Sequence, residues 1–124
     1  MALTILIAFA GLMGAGGVIL AAAGGHGAPN AGLDSAAYML LFHAAAVLGG
    51  AALAQQGLLW RPLALVVLTA FVLGAALFAG DITVRAFLSH RLFPYAAPAG
   101  GITLIAAWVG LAVAGIVALS QRGG

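Results

Sequence analysis

Four polar residues in an otherwise apolar chain could do chemistry: His26, His43, Asp81 and Arg85. Asp81 and Arg85 lie four residues apart, so on a helix they share one face, with the acid before the base in the order that favours an ion pair. A carboxylate inside a membrane-length segment is costly and is usually buried against a partner. The sequence therefore predicts an intramembrane polar cluster of these four residues, centred on Asp81 and Arg85.

Each histidine has a structural and a chemical interpretation. His43 lies deep in an apolar run, either as a buried structural histidine or as a group for proton transfer or metal or haem ligation. His26 follows the first apolar run, either at the membrane interface or folded back into the mouth of the bundle. A metal would need both histidines to converge, with Asp81 as a third ligand. Because no His-x-x-x-His or Glu-x-x-His pair lies on one helix, we expect neither a metal nor another cofactor.

An enzyme is not expected. The histidines, Asp81, Arg85 and a few hydroxyl groups could be imagined as a hydrolytic set, but no Gly-x-Ser-x-Gly nucleophile motif occurs. Proton or cation transport is the more serious alternative, because an intramembrane acid near histidines is suited to a proton relay. The size is that of the small multidrug transporters, but those rely on a glutamate in the first span, and the first span here has no acid.

Composition makes this chain an integral membrane protein. Of its 124 residues, 65% are hydrophobic and only 5% are charged, far from the values of soluble domains. The four arginines are scattered, so nucleic-acid binding is not indicated. The chain has no cysteine, which excludes disulfides and iron–sulfur ligation.

Four apolar runs are each long enough to cross a bilayer as a helix. We predict an all-α membrane protein with a single transmembrane domain over residues 1–124: a compact up-down four-helix bundle with short loops and both termini on one side. The predicted spans are about 3–23, 35–54, 63–87 and 98–119. We expect the first span to remain uncleaved, because no Lys or Arg precedes it. Asp34 or Ser35 should cap the second span, and Pro62 suits the first turn of the third.

Small residues recur at helical spacing in the first and fourth spans, as expected where helices approach closely in lipid. The glycines predicted to mediate helix packing are Gly14, Gly17, Gly80, Gly100, Gly101 and Gly110. His43 should lie about 12 Å below one membrane face and Asp81 about 9 Å below the same face, so the two could meet.

The arginines give a weak preference for orientation. Arg61 and Arg122 lie on the side of the termini, and Arg85 and Arg91 on the other side. The tally favours cytoplasmic termini only if Asp81 neutralises Arg85.

Four segments together resemble a known family. They are Gly24-Gly25-His26-Gly27, Phe42-His43-Ala44, Leu77-Phe78-Ala79-Gly80-Asp81, and Ala97-Pro98-Ala99-Gly100-Gly101 leading to Trp108. In this order and spacing they resemble the domain of unknown function 423 family, the YgdD-like small membrane proteins. The resemblance implies a four-span protein of the bacterial inner membrane and implies no activity.

Two functions remain open from the sequence. The first is a structural or accessory bundle, whose polar cluster fixes helix register and whose outer faces contact the lipid bilayer, further copies of the chain or a larger membrane complex. The alternative is a small transporter or channel for protons, cations or a small molecule that uses Asp81 and the histidines.

Overall fold

The chain folds into four long helices. The computed structural model describes residues 1–26 and 32–123, and the remainder of the predicted first loop, residues 27–31, lies outside the described residues. The helices are α1 (Ala2–Gly25), α2 (Leu33–Gln55), α3 (Arg61–Leu88) and α4 (Ala96–Gly123). Each is long and apolar enough to cross a membrane, and each contains one of the four predicted spans. The predicted all-α, four-span bundle is thus confirmed.

Successive helices are antiparallel. Gly17 of α1 faces Leu41 of α2, and Gly24, later in α1, faces Asp34, earlier in α2. The same opposed order relates α2 to α3 and α3 to α4. The start of α1 and the end of α4 therefore lie at the same end of the bundle.

The central pair of the bundle is α2 and α3. Helix α3 packs against all three other helices, whereas within the described residues no Cα atom of α1 lies within 8 Å of one in α4. Many of the buried side chains are those of alanine, and the largest fully buried side chains all come from the central pair. The largest fully buried ones are Phe71, Leu33, Leu68, Val47 and Asp81. The outer faces remain apolar, as expected for surfaces in contact with lipid.

Gly100 permits the closest approach between α3 and α4. A Cβ atom placed on Gly100 would lie 2.7 Å from the carbonyl oxygen of Gly74 and 2.7 Å from the backbone nitrogen of Phe78. Its neighbour Gly101 would meet no atom within 4 Å. One glycine of the predicted pair thus brings two backbones together, and the other does not.

The other predicted packing glycines also divide. Gly17 lies against α2, and Gly110 would place a Cβ atom 2.8 Å from Val67 of α3, so both mediate helix contacts. Gly14 has no neighbour within 4 Å of its Cβ position. Gly80 faces the side chain of Leu92, which belongs to the loop between α3 and α4 and not to a neighbouring helix.

The start of α2 differs from the prediction. The helix begins at Leu33, its N-cap is Gly32 with φ 125°, and no side chain caps it, so the predicted cap by Asp34 or Ser35 is wrong. Asp34 lies instead within the first turn, where a negative charge is favourable beside the helix dipole. At α3, Pro62 does occupy the first turn as predicted.

Candidate functional site

His43 uses both of its ring nitrogens in hydrogen bonds. Its Nε2 accepts a bond of 3.0 Å from the indole Nε1–H of Trp108, and its Nδ1 lies 2.8 Å from the carbonyl oxygen of Met39. Since an indole nitrogen can only donate and a carbonyl can only accept, Nδ1 must carry the proton. His43 is therefore a neutral imidazole in this arrangement, with no free lone pair.

The His43–Trp108 bond links two helices that have no close backbone contact. No Cα atoms of α2 and α4 lie within 8 Å of each other in the described part of the chain, so long side chains span the gap. Phe71 of α3 completes the cluster, with its ring centroid 5.4 Å from that of His43 and 4.7 Å from that of Trp108. We call these three residues the aromatic cluster. His43 is only 5% exposed, and Trp108 is 45% exposed at the outer edge.

Asp81 holds the loop between α3 and α4, residues 89–95, which we call loop 3. Its side chain is fully buried, and Oδ1 accepts a 3.0 Å hydrogen bond from the backbone N–H of Leu92. Oδ2 lies 3.4 Å from Nη2 of Arg85, whose side chain is 40% exposed. Neither Oδ2 of Asp81 nor Nε of Arg85 has a hydrogen-bond partner in the described structure. The acid therefore binds the loop by a direct hydrogen bond and the base by a looser ion pair.

Loop 3 is bounded by two residues in unusual backbone conformations. Ser89 ends α3 with φ 61°, and Tyr95 precedes α4 with φ 66°. Positive φ is uncommon for residues other than glycine and persists where the surrounding structure enforces it. Here Asp81 binds the backbone N–H of Leu92. Gly80 leaves room for the side chain of Leu92, which lies 3.3 Å from the Cβ position of that glycine. The consecutive Gly80 and Asp81 thus fix the loop between its strained ends.

The structure does not unite the four predicted residues. His43 lies beside Phe71, which precedes Asp81 by ten residues of α3, or about 15 Å at the rise of a helix. Asp81 is level with the start of α2, since its neighbour Ile82 lies next to Gly32. The prediction that His43 and Asp81 lie at comparable depths and could meet is therefore wrong, because His43 is near the middle of α2. His26 is exposed at the end of α1.

The geometry limits what these groups can do. Within the described residues, no three His, Asp or Glu side chains come together as a metal-ligand set. Binding a metal or a proton at Nε2 of His43 would break the bond from Trp108, since that bond occupies the lone pair. The arrangement is suited to holding helices and a loop in register.

Sequence reasoning missed the partners. Trp108 is a lone tryptophan within an apolar span, which could have marked it as a candidate partner for a buried histidine. Nothing in the type of residue 92 indicates that its backbone N–H binds Asp81, because every residue except proline carries that group.

The fold and these buried polar contacts define a small multi-pass membrane protein of the four-helix type. A family model described as protein of unknown function (DUF423) matches residues 20–101, and the chain belongs to that family. The matched stretch contains His43 and the Asp81 site and ends before Trp108. No curated protein and no solved structure matches the chain.

Proposed function

We propose that the protein is a structural or accessory bundle of the bacterial inner membrane, with cytoplasmic termini and no enzymatic activity. One observation carries the proposal: both ring nitrogens of the buried His43 are occupied by hydrogen bonds, of which the one from Trp108 joins α2 to α4. Asp81 is likewise used to hold loop 3. Polar groups that serve as fixed hydrogen-bond partners favour a static role, because a relay residue must exchange its proton.

The segment between the two polar sites supports the same proposal. The nine residues of α3 from 72 to 80 are all apolar or glycine. This part of the helix therefore offers no side chain that could relay a proton between the aromatic cluster and Asp81. The observation that favours the alternative, a transporter or channel for protons or cations, is the buried Oδ2 of Asp81, which has no hydrogen-bond partner in the described structure and only the looser ion pair with Arg85.

Reconstituted vesicles distinguish the two functions. The wild-type protein should give the same proton flux as protein-free vesicles, and Asp81→Asn should change stability without changing flux. Flux in the wild type that disappears in a folded Asp81→Asn variant would support the transporter and contradict the bundle. Cross-linking in native membranes would then identify whether the accessory partner is a further copy of the chain or a larger complex.

A further inference from the structure

An apolar groove runs along α1 and α3 at the end of the bundle where α1 begins and α3 begins. We call this end the terminal end. The groove has a volume of about 310 Å³. Its lining is almost wholly apolar and comes from the start of α1 and the first half of α3: Ala2, Ile5, Leu6, Phe9, Leu65, Thr69, Val72 and Leu73.

The side chains that line the groove present no unpaired hydrogen-bond donor. Thr69 is the one lining residue with a polar side chain, and its hydroxyl donates a 2.8 Å bond to the carbonyl oxygen of Leu65 in its own helix. A groove within two membrane-spanning helices that needs no polar partner fits a hydrocarbon chain.

A cation lies one helical turn before the groove residues of α3. Arg61 precedes the groove residues Leu65, Thr69 and Val72 by four, eight and eleven residues, a spacing that puts all four on one helix face. Arg61 is exposed, and the first turn of α3 contains no acidic residue.

Neither of the two aspartate side chains of the chain lies at the terminal end to neutralise Arg61. The one ion pair in the described residues joins Asp81 to Arg85 near the other end of the bundle. Asp34, the second acid of the chain, lies in the first turn of α2 at that same opposite end. Next to Arg61, Trp60 is partly exposed, as expected of a residue at headgroup level.

We propose that the groove and Arg61 bind one anionic phospholipid, with an acyl chain along α1 and α3 and the headgroup phosphate on the Arg61 guanidinium. The apolar groove accommodates the acyl chain, and the positive charge of Arg61, which no aspartate side chain neutralises, selects an anionic headgroup. The site does not depend on the accessory role, since a transporter could carry it equally well.

Native mass spectrometry of the detergent-purified protein tests the headgroup. The protein is mixed with equal amounts of phosphatidylglycerol and phosphatidylcholine that carry the same acyl chains. The wild type should retain phosphatidylglycerol about fivefold better, the factor expected for one basic residue at an anionic membrane surface. Arg61→Gln should abolish the preference. The matched control is Arg122→Gln, which removes an exposed arginine near the end of α4, and it should leave the preference unchanged.

Thr69 tests the groove. Thr69→Phe should fill it and lower retention of both lipids, whereas Thr69→Val, which keeps the volume, should behave as the wild type. Equal retention of the two lipids by the wild type, or equal losses in Arg61→Gln and Arg122→Gln, would overturn the proposal. Binding of inorganic phosphate alone with the same affinity as the lipid would also overturn the proposal. A shift from dimer to monomer in Thr69→Phe with lipid retention unchanged would assign the groove to a second copy of the chain instead.

Discussion

His43 shows how one buried side chain can be assigned a role from its partners. Its Nε2 accepts from Trp108 and its Nδ1–H donates to Met39, so the ring is held as one neutral tautomer. Inside a membrane such a hydrogen bond stabilises the folded state less than the absence of water would suggest, because the polar groups of the unfolded chain also find hydrogen-bond partners in the membrane. The contribution can be measured only as a coupling between the two residues.

The first prediction concerns that coupling. His43→Phe and Trp108→Phe should each lower the free energy of unfolding, and the double variant should lose less than the sum, with a coupling on the order of 0.6–1.7 kcal/mol. Unfolding of the purified protein by SDS titration measures all three. Trp60→Phe is the control, since Trp60 lies in the loop before α3 and should show no coupling to His43. Additive losses at His43 and Trp108 would contradict the assignment.

At this scale the sequence predicted residue types better than partners. It identified His43 as a buried residue, and it identified the pairing of Asp81 with Arg85, because a spacing of four on a helix fixes that contact. It did not predict the separation of His43 from Asp81 along α3. That separation depends on how far each helix extends past the membrane face, which apolar runs locate only to within several residues.

At the scale of elements, loop 3 depends on a side chain of the preceding helix. The second prediction is that Asp81→Ala exposes the loop to trypsin at Arg91, whose peptide bond to Leu92 contains the N–H that Asp81 accepts. A hydrogen bond to a charged group stabilises by about 1.5–3 kcal/mol, so the cleavage rate should rise about tenfold or more. Arg61 is followed by Pro62 and resists trypsin, and Arg85 and Arg122 lie within helices, so the fragment that ends at Arg91 reports on the loop.

Two variants calibrate this measurement. Asp81→Asn keeps an oxygen that can accept from Leu92, so its cleavage rate should stay nearer to that of the wild type. Asp34→Ala removes the other acid from the same end of the bundle and should have no effect. Equal cleavage of Asp81→Ala and Asp34→Ala would show that the carboxylate does not hold the loop.

The third prediction concerns the contact between α3 and α4. Gly100→Ala should destabilise the bundle by about 1–3 kcal/mol, because its new methyl group would be forced against the backbones of Gly74 and Phe78. The adjacent Gly101→Ala should be neutral or slightly stabilising, since the added methyl group meets nothing within 4 Å and alanine favours a helix. Thermal unfolding in detergent compares the two. Helix propensity acts alike at both positions, so equal changes in the two variants would mean that the close contact at Gly100 does not contribute to stability.

This pair of glycines also shows what could be predicted about elements. The existence and order of the four helices follow from apolar length alone, because each run must satisfy its backbone within one segment in lipid. Which glycine of a consecutive pair faces a neighbouring helix depends on the rotation of α4 about its axis. A helix embedded in lipid is apolar on nearly every side, so the sequence carries little information on that rotation.

At the scale of the whole molecule, the two ends of the bundle differ in charge. The terminal end carries Arg61 and Arg122, and neither forms an ion pair in the described residues. The opposite end carries the other two arginines and both aspartates: Arg85, Arg91, Asp34 and Asp81. A count of arginines alone is equal on the two sides. The Asp81–Arg85 contact leaves Arg91 as the one arginine without an acidic partner at that end, within the residues described.

The fourth prediction is the orientation that follows. Unpaired arginines in short loops remain on the cytoplasmic side, so the terminal end should face the cytoplasm. Because the chain has no cysteine, Gln56→Cys and His90→Cys each create a single exposed thiol, at the terminal end and in loop 3 respectively. A membrane-impermeant maleimide added to intact cells should label position 90 and not position 56, and lysis should expose both.

If Asp81 determines this orientation by neutralising Arg85, adding Asp81→Asn should increase the fraction of inverted molecules, labelled at 56. Unchanged labelling in that background would mean that Arg61 and Arg122 set the orientation regardless of the ion pair.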